Sequence, residues 1–337
     1  MDLQDSIYGD FKIEEPVLTE IINSKAIQRL KMISSGGYHP AYPEIGSEAM
    51  NRYNHSIGVF LLLRKYGASL EEQIAGLIHD VSHSAFSHTI DYIAVEDGHE
   101  SQKNHSTQDD NHDAFIQSTE IPAILEKYSF DLNYILDDSN FPLKENELPD
   151  ICADRIDYSL RQAYGIYGIL NEEQKNFILE HLVNHNSSFI FDNQEAAKIY
   201  AETFWKMDEK HWSGIRSAIM FALGGRMFRY AVKKSCVTLD DFFKLDDIKI
   251  IEMIKAKLGN DDEVKECMRL LNSSDENFEN NHENCIEKVF CKSRKVDPYI
   301  ISGDKLNRLS ELDNDFKTKL GEGAKFKEYY IKEKTIK

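Results

Sequence analysis

Between residues 53 and 81 the chain carries two apolar patterns at helical spacing, separated by one glycine. From Tyr53 to Tyr66, the residues Val59, Leu62, Leu63 and Tyr66 share a face while Ile57, Phe60 and Leu61 occupy others. A helix apolar all round is a buried one, and Gly67 stands where a C-cap glycine ends it. Ser69 and Glu72 then form an S-x-x-E capping box ahead of Leu70, Ile74, Leu77, Ile78 and Val81, which predicts a helix ending between Asp80 and His83. Residues 94–111 (AVEDGHESQKNHSTQDDN) are almost wholly polar and too long for an ordinary connection, so they read as a lid or mobile loop. After an irregular stretch over 137–148, Pro149 at a first-turn position and Asp150 at the positive dipole end predict another helix. Two more are expected at about Gln194–Lys210 and Gly214–Lys233. From Cys236 onward the pattern shifts to shorter helices, a polar stretch near Asn272 to Glu283, and β-like segments at Ile286–Phe290 and Phe326–Ile331. The Lys-rich alternation of the last suits an edge strand. No repeat occurs at solenoid periods. The expected fold class is mainly α, a helical core over residues 1–235 followed by a small C-terminal α+β region over 236–337.

The chain has 337 residues, enough for one large domain or two moderate ones, and 41% hydrophobic composition is enough for a real core. With 58 acidic against 40 basic side chains, its formal charge of −18 repels a polyanionic backbone. No long nucleic acid is therefore expected as a partner. Five cysteines, odd in number and without a CxxC pair, read as reduced thiols in a cytosolic protein. The first residues have neither a basic nor an apolar signal region, and no apolar run approaches the ~18 residues of a membrane span. The expectation is a cytoplasmic protein with no membrane partner.

Twelve histidines occur, and eight of them lie between His39 and His112. His55 shares a face with Val59 and Leu62 on the first buried helix, and the doublet His79-Asp80 ends the second. An imidazole and a carboxylate at the end of an apolar helix must be paired or hold a cation, because burying them alone is costly. Farther on, PDICADRIDYSLR places Asp154, Asp157, Tyr158 and Arg161 on one helix face. Neutral His and ionised Asp suit Zn, Mn, Fe, Co or Ni, and two of each leave positions for water and substrate.

These blocks resemble the HD superfamily of metal-dependent phosphohydrolases, whose signature is a His, a His-Asp doublet and a distant Asp. In order, spacing and flanks, INSKAIQRLKMISSGGY, NRYNHSIGV, GLIHDVSHSAFSHTID and ADRIDYSLR resemble the dNTP triphosphohydrolase branch. The resemblance covers roughly residues 7 to 170, with the motifs inside 25–165. It implies an HD-domain helical core holding one divalent transition metal on His55, His79, Asp80 and Asp154, with Mg accompanying a nucleotide substrate. It also implies substrate contacts from Arg52, His83, Arg155 and Tyr158, and catalytic roles for His88, Asp91 and His112. Cation and arginines would neutralise phosphate charge, while His88 protonates a leaving oxygen and Asp91 orients it. The implied reaction is dNTP plus water to deoxynucleoside plus triphosphate. A phosphomonoesterase of nucleotidase type and a non-catalytic nucleotide-binding module are the alternatives. The partner is a small nucleotide or phosphate ester, and a homo-oligomer is left open.

Some positions depart from the branch. Ser35 replaces a Gln implicated in reading the sugar, Asn54 an acidic residue, Ser82 and Ser84 two glycines, and Gln162 an Asp. Several single residues keep two readings. His83 is a phosphate contact, a further ligand or a helix-end histidine. Asp157 and Arg161 suit a simple i,i+4 ion pair. His99 and His105 read as exposed loop residues, and Lys206, Lys210 and Arg216 as a solvated face.

Overall fold

The computed structural model describes residues 1–37, 51–93, 111–322 and 326–334. The polar segment expected as a lid lies, but for Asn111, outside the described residues, as do His39, His99 and His105. A hairpin of β1 (Asp2–Asp5) and β2 (Gly9–Lys12) opens the chain, pairing Asp5 with Gly9. Two short helices follow, α1 (Pro16–Ile22) and α2 (Lys25–Arg29).

The centre is α3 (Arg52–Lys65), capped by the Asn51 side chain, which accepts the Asn54 N–H. Buried residues occur on every side of it, and the chain leaves through Gly67 at φ +74°, as the pattern predicts. Next comes α4 (Leu70–Ile78), whose Ser69 cap accepts the Glu72 N–H at 3.1 Å. It stops with His79 as C-cap, just short of the expected end between Asp80 and His83, and Asp80 to Ser82 run as a turn.

Three short helices, α5 (His112–Gln117), α6 (Ile121–Lys127) and α7 (Leu132–Leu136), lead to α8 (Ala153–Gly165). Pro149 does not open α8. The amides of Ala153 and Asp154 are satisfied by the carbonyls of Leu143 and Lys144, so the helix begins there, with Asp150 held in the preceding turn by Glu147. Helix α9 (Glu172–His181) and a hairpin of β3 (Leu182–His185) and β4 (Ser188–Phe191) precede two long helices. These are α10 (Gln194–Met207) and α11 (Ile215–Lys233), joined by a π-helical turn over Asp208–Trp212.

Helices α12 (Leu239–Lys244), α13 (Asp247–Leu258) and α14 (Asp262–Leu271) lead to the strands β5 (Phe278–Asn280), β6 (Glu287–Lys292), β7 (Tyr299–Ser302) and β8 (Lys305–Arg308). Two short helices, over Leu309–Leu312 and Asn314–Gly321, precede the final strand β9 (Phe326–Glu333). β9 is no edge strand. It pairs with β5 on one side and β6 on the other, and its two lysines, Lys327 and Lys332, fall on opposite faces of the sheet, both half-buried.

α3 packs against α4 and α8, and α11 packs on β6. One hydrophobic cluster runs from Ile7 through Phe60 and Phe228 to Phe242, Val289 and Ile331, so the last hundred residues share the core of the helices before them. The buried Asp247 ties these parts together, accepting the amides of Ser34 at 2.9 Å and Phe86 at 2.7 Å. Beside it Arg29 donates to the carbonyls of His83 and Leu245, at 2.9 and 2.8 Å. No helix among the described residues is long and apolar enough to cross a membrane.

Candidate metal and phosphate site

His55 and Arg52 lie one turn apart at the start of α3, His79 caps α4, and Asp154 lies in the first turn of α8. The packing of α3 on α4 and α8 brings these together. The Nε2 atoms of His55 and His79 are 3.3 Å apart. Asp154 Oδ1 is 2.8 Å from the first and 3.5 Å from the second, and the Asp80 carboxylate is 3.6 Å from the first and 3.5 Å from the second. All four sequence-predicted ligands therefore meet in one place, the closest group being His55, His79 and Asp80.

The far sides of the two rings decide what this place can hold. His79 Nδ1 is 2.7 Å from the carbonyl of Gly76, and His55 Nδ1 is 2.7 Å from Asp157 Oδ2. A carbonyl or carboxylate only accepts, so each Nδ1 carries a proton and each ring turns its Nε2 inward. Were both rings neutral, two nitrogen lone pairs would face each other and two carboxylates, a costly arrangement unless a cation is shared. Burial disfavours the charged form of His55, yet its bonds to Asp154 and Asp157 and the nearby Asp80 outweigh this and push it up to about 10. The carboxylates thus demand positive charge at that point, and the donor set fits a divalent transition metal.

Asp157 is itself held. Arg161 clamps it through Nη2 at 2.8 Å and Nε at 3.1 Å, and Asp5 of the N-terminal hairpin lies 2.9 Å from the same Arg161 Nη2. The i,i+4 pair is therefore the outer part of a chain from Asp5 to His55, of the kind that fixes a ligand's tautomer and orientation. Gly58 makes room for it, since a Cβ there would lie 2.0 Å from Asp157 Oδ1 and 2.1 Å from Arg161 Nη2.

A family model described as HD domain matches residues 52–109. The chain is 32% identical, over 96% of its length and 95% of the other's, to the uncharacterized protein YdhJ of Bacillus subtilis. It is 30% identical, over 75% of its length and 72% of the other's, to a metal-dependent phosphohydrolase of Cordyceps militaris. The chain belongs to the HD-domain family of metal-dependent phosphohydrolases. A shorter match, 28% identical over 42% of this chain and 26% of the other, is to the deoxynucleoside triphosphate triphosphohydrolase SAMHD1 of Gallus gallus. A phosphohydrolase from Bacteroides thetaiotaomicron has the same fold, with TM-score 0.67 at 16% identity over 98% of this chain and 99% of that one. A hypothetical protein from Aquifex aeolicus gives 0.66 at 18% identity over 98% and 95%.

In this HD-domain phosphohydrolase a cavity of about 610 Å³ opens beside the ligand set. Arg52, His83, His88, His112, Arg155 and Tyr158 all line it, whereas Asp91 lies beneath, buried, with Oδ2 3.5 Å from His88 Nδ1. His88 and Asp91 belong to one 3₁₀ turn, Ser87–Tyr92, entered through Phe86 and Ser87 at φ +59° and +46°. His83 Nε2 is 3.2 Å from Asp80 Oδ1. Burial first, then the charge of Arg52, holds His83 and His88 down to about 3, so both are neutral. His112 Nδ1 is 2.8 Å from Ser82 Oγ, one of the serines that replace family glycines, and burial and Lys144 lower it to about 4.

The two predicted phosphate arginines are largely committed within the protein. Arg52 donates to Asp80 Oδ2 at 2.7 Å, Ser87 Oγ at 3.1 Å and the Ser35 carbonyl at 3.4 Å. Its charge outweighs the effect of burial on Asp80 and keeps that carboxylate well below its usual range. Arg155 pairs with Glu145 at 3.0 Å and donates to the Asn146 carbonyl. Tyr158 stacks edge-on against Trp212 at 5.0 Å, and Trp212 Nε1 donates to Gln162 Oε1 at 2.8 Å, so the Gln that departs from the family pattern orients an aromatic wall. Arg216 is bound to Asp275 and the Leu271 carbonyl, outside the cavity lining. Sequence reasoning missed Asp5, Trp212, Lys292 and Arg294, and placed Asp157 on the polar face of the Asp154 helix with a simple ion pair to Arg161 as its other reading. Only the i,i+3 spacing from Asp154 to Asp157 signalled that both could face the same histidine.

Proposed function

We propose that this phosphohydrolase cleaves a nucleotide phosphate ester, with a dNTP split by water into deoxynucleoside and triphosphate as the leading reaction. The observation that carries this is the meeting of the His55 and His79 Nε2 atoms with Asp80 and Asp154 at the edge of a cavity of about 610 Å³. That volume lies within the range that houses nucleotide-sized ligands. A divalent cation bound there by His55, His79, Asp80 and Asp154 would polarise a phosphoryl oxygen and lower the pKa of a water. The partial match to the triphosphohydrolases supports the choice of a deoxynucleotide.

The chain's own residues supply the rest. Arg52 keeps Asp80 ionised and turned toward the ligand set, leaving part of its guanidinium for a phosphate oxygen. His88 lines the cavity with Arg52, Lys292 and Arg294, and burial first, then those cations, keep it neutral. An incoming phosphate offsets the same cations, so a substrate raises His88 toward the range where it can protonate the leaving oxygen. Asp91 aligns that ring from beneath. Tyr158 and Trp212 form an apolar wall suited to a base or sugar face.

The test is a panel of dNTPs, nucleoside monophosphates and simple phosphate monoesters, assayed with Mn, Fe, Co, Ni, Zn and Mg in turn, with orthophosphate and triphosphate quantified separately. Triphosphate from dNTPs is the expected result. Orthophosphate from monoesters alone would make the enzyme a phosphomonoesterase. No turnover with any metal would leave a nucleotide-binding module.

A further inference from the structure

Six basic side chains line the cavity: Arg52, Lys144, Arg155, Arg161, Lys292 and Arg294. Lys292 and Arg294 come from the end of β6 and the residues after it, about 140 positions beyond Asp154. Among the described residues no carboxylate lies within ion-pair distance of the Arg294 guanidinium. Strand alternation sends Cys291 into the core and Lys292 to the other side, and Arg294, just beyond the end of β6, lines the same cavity.

A buried carboxylate holds this segment in place. Asp208, at the start of the π-turn, accepts Ser293 Oγ at 2.5 Å, the Arg294 amide at 2.9 Å and Ser213 Oγ at 2.9 Å. The same turn carries Trp212 into the cavity, so the aromatic wall and the two cations are set by one anchor. Both cations act electrostatically on His88, as Arg52 does. His88 thus lies where the fields of two cationic groups overlap, one belonging to the metal ligands and one to the last third of the chain.

We propose that Lys292 and Arg294 form a second anion subsite that takes the phosphate groups of a polyphosphate tail farthest from the metal ligands. This rests on the reading of the cavity as a nucleotide site, and it assigns chain-length preference to residues outside the family motifs. A monophosphate bound near Arg52 and His83 leaves the subsite unused, whereas a di- or triphosphate places an oxyanion there. Lys supplies a point charge and Arg a fork for two oxygens, a combination matched to a mobile terminal phosphate.

The probes are orthophosphate, pyrophosphate and tripolyphosphate, titrated calorimetrically into the full chain carrying its metal, with magnesium in excess so that polyphosphate does not strip that metal. Tripolyphosphate is expected to bind at least about tenfold more tightly than orthophosphate, since one additional hydrogen bond between charged groups is worth about that much. Lys292→Ala with Arg294→Ala should bring the three probes within about threefold of one another, the loss falling on tripolyphosphate. Exchanging the pair as Lys292→Arg with Arg294→Lys should restore most of the preference. Arg294→Gln alone serves if the double variant does not fold, with circular dichroism as the control. A wild type indifferent to chain length, or variants that keep the full preference, would overturn the subsite. Because no nucleotide turnover enters the readout, failure of dNTP hydrolysis and failure of this proposal are separate results.

Discussion

Arg161 Nη2 lies 2.9 Å from Asp5 Oδ2, joining residues 156 positions apart in the sequence. Through Arg161 and Asp157 the N-terminal hairpin reaches the proton on His55 Nδ1. Asp157→Asn keeps the shape but can offer His55 a donor in place of an acceptor. Metal affinity should fall about ten- to a hundredfold, as for other supports behind metal-bound histidines. Asp5→Asn should lower it less. Metal analysis after dialysis against a graded chelator reads both, and unchanged retention in Asp157→Asn would reduce the chain to a structural ion pair.

Asp80→Ala and His79→Ala should each remove metal and activity together, because each deletes a donor from a set of four. Full metal occupancy in either variant would place the ion elsewhere.

Gly58→Ala inserts a methyl group into the Asp157–Arg161 pair. Crowding a packed interface costs about 1–3 kcal/mol, and parting a buried ion pair adds to it. A thermal melt should drop by several degrees and metal retention should fall with it. A melt equal to wild type would mean that α3 and α8 can shift apart freely.

His88→Ala should keep its metal and lose about a hundredfold or more in turnover, the usual worth of general acid catalysis. Steady-state kinetics on metal-loaded protein measures this, and near-normal turnover would return His88 to a structural role. The sugar end should behave differently. Ser35 lines the cavity but is shorter than the family's Gln, so 2′,3′-dideoxynucleotides should be cleaved at rates close to those of dNTPs. Strict dependence on the 3′-hydroxyl would reverse that expectation.

His83 and His112 stay neutral, lowered to about 3 and about 4, mainly by burial and then by Arg52 and Lys144. Unfolded histidine titrates near 6.5, so below that pH the unfolded chain binds protons that the folded one refuses. Their contribution to stability is complete above about pH 6.5 and declines as pH falls toward 4 and 3. Melting temperature should fall over that window, and His112→Gln should show a shallower slope. An equal slope would mean that His112 titrates alike in both states.

What the sequence disclosed about fold and site followed from local chemistry. Caps and apolar periodicity define α3 and α4, because Ser69 and Asn51 act on their own helices and a helix buried on all sides is apolar throughout. The His/Asp set was legible because its residues lie at ends of such helices. Partners chosen by tertiary packing were not. The start of α8 depends on the Leu143 and Lys144 carbonyls, and the central place of β9 depends on strands some 40 to 50 residues earlier. The hairpin over 182–191 had a local signal in Asn186 and Ser187, both at positive φ, which period-based reading passes over. Lys292 and Arg294 look like any basic strand end until Asp208 fixes them.

The two amides held by Asp247 bear on how such a protein can change over evolutionary time. Ser34 opens the turn that brings Ser35 to the cavity, and Phe86 opens the turn that bears His88; both hang from a residue of α13. A gene fragment ending before residue 236 would encode all four proposed metal ligands and still leave those turns unsupported. The histidine-rich third is therefore expected to be inherited with its C-terminal neighbour as one piece, a poor cassette for grafting onto unrelated proteins.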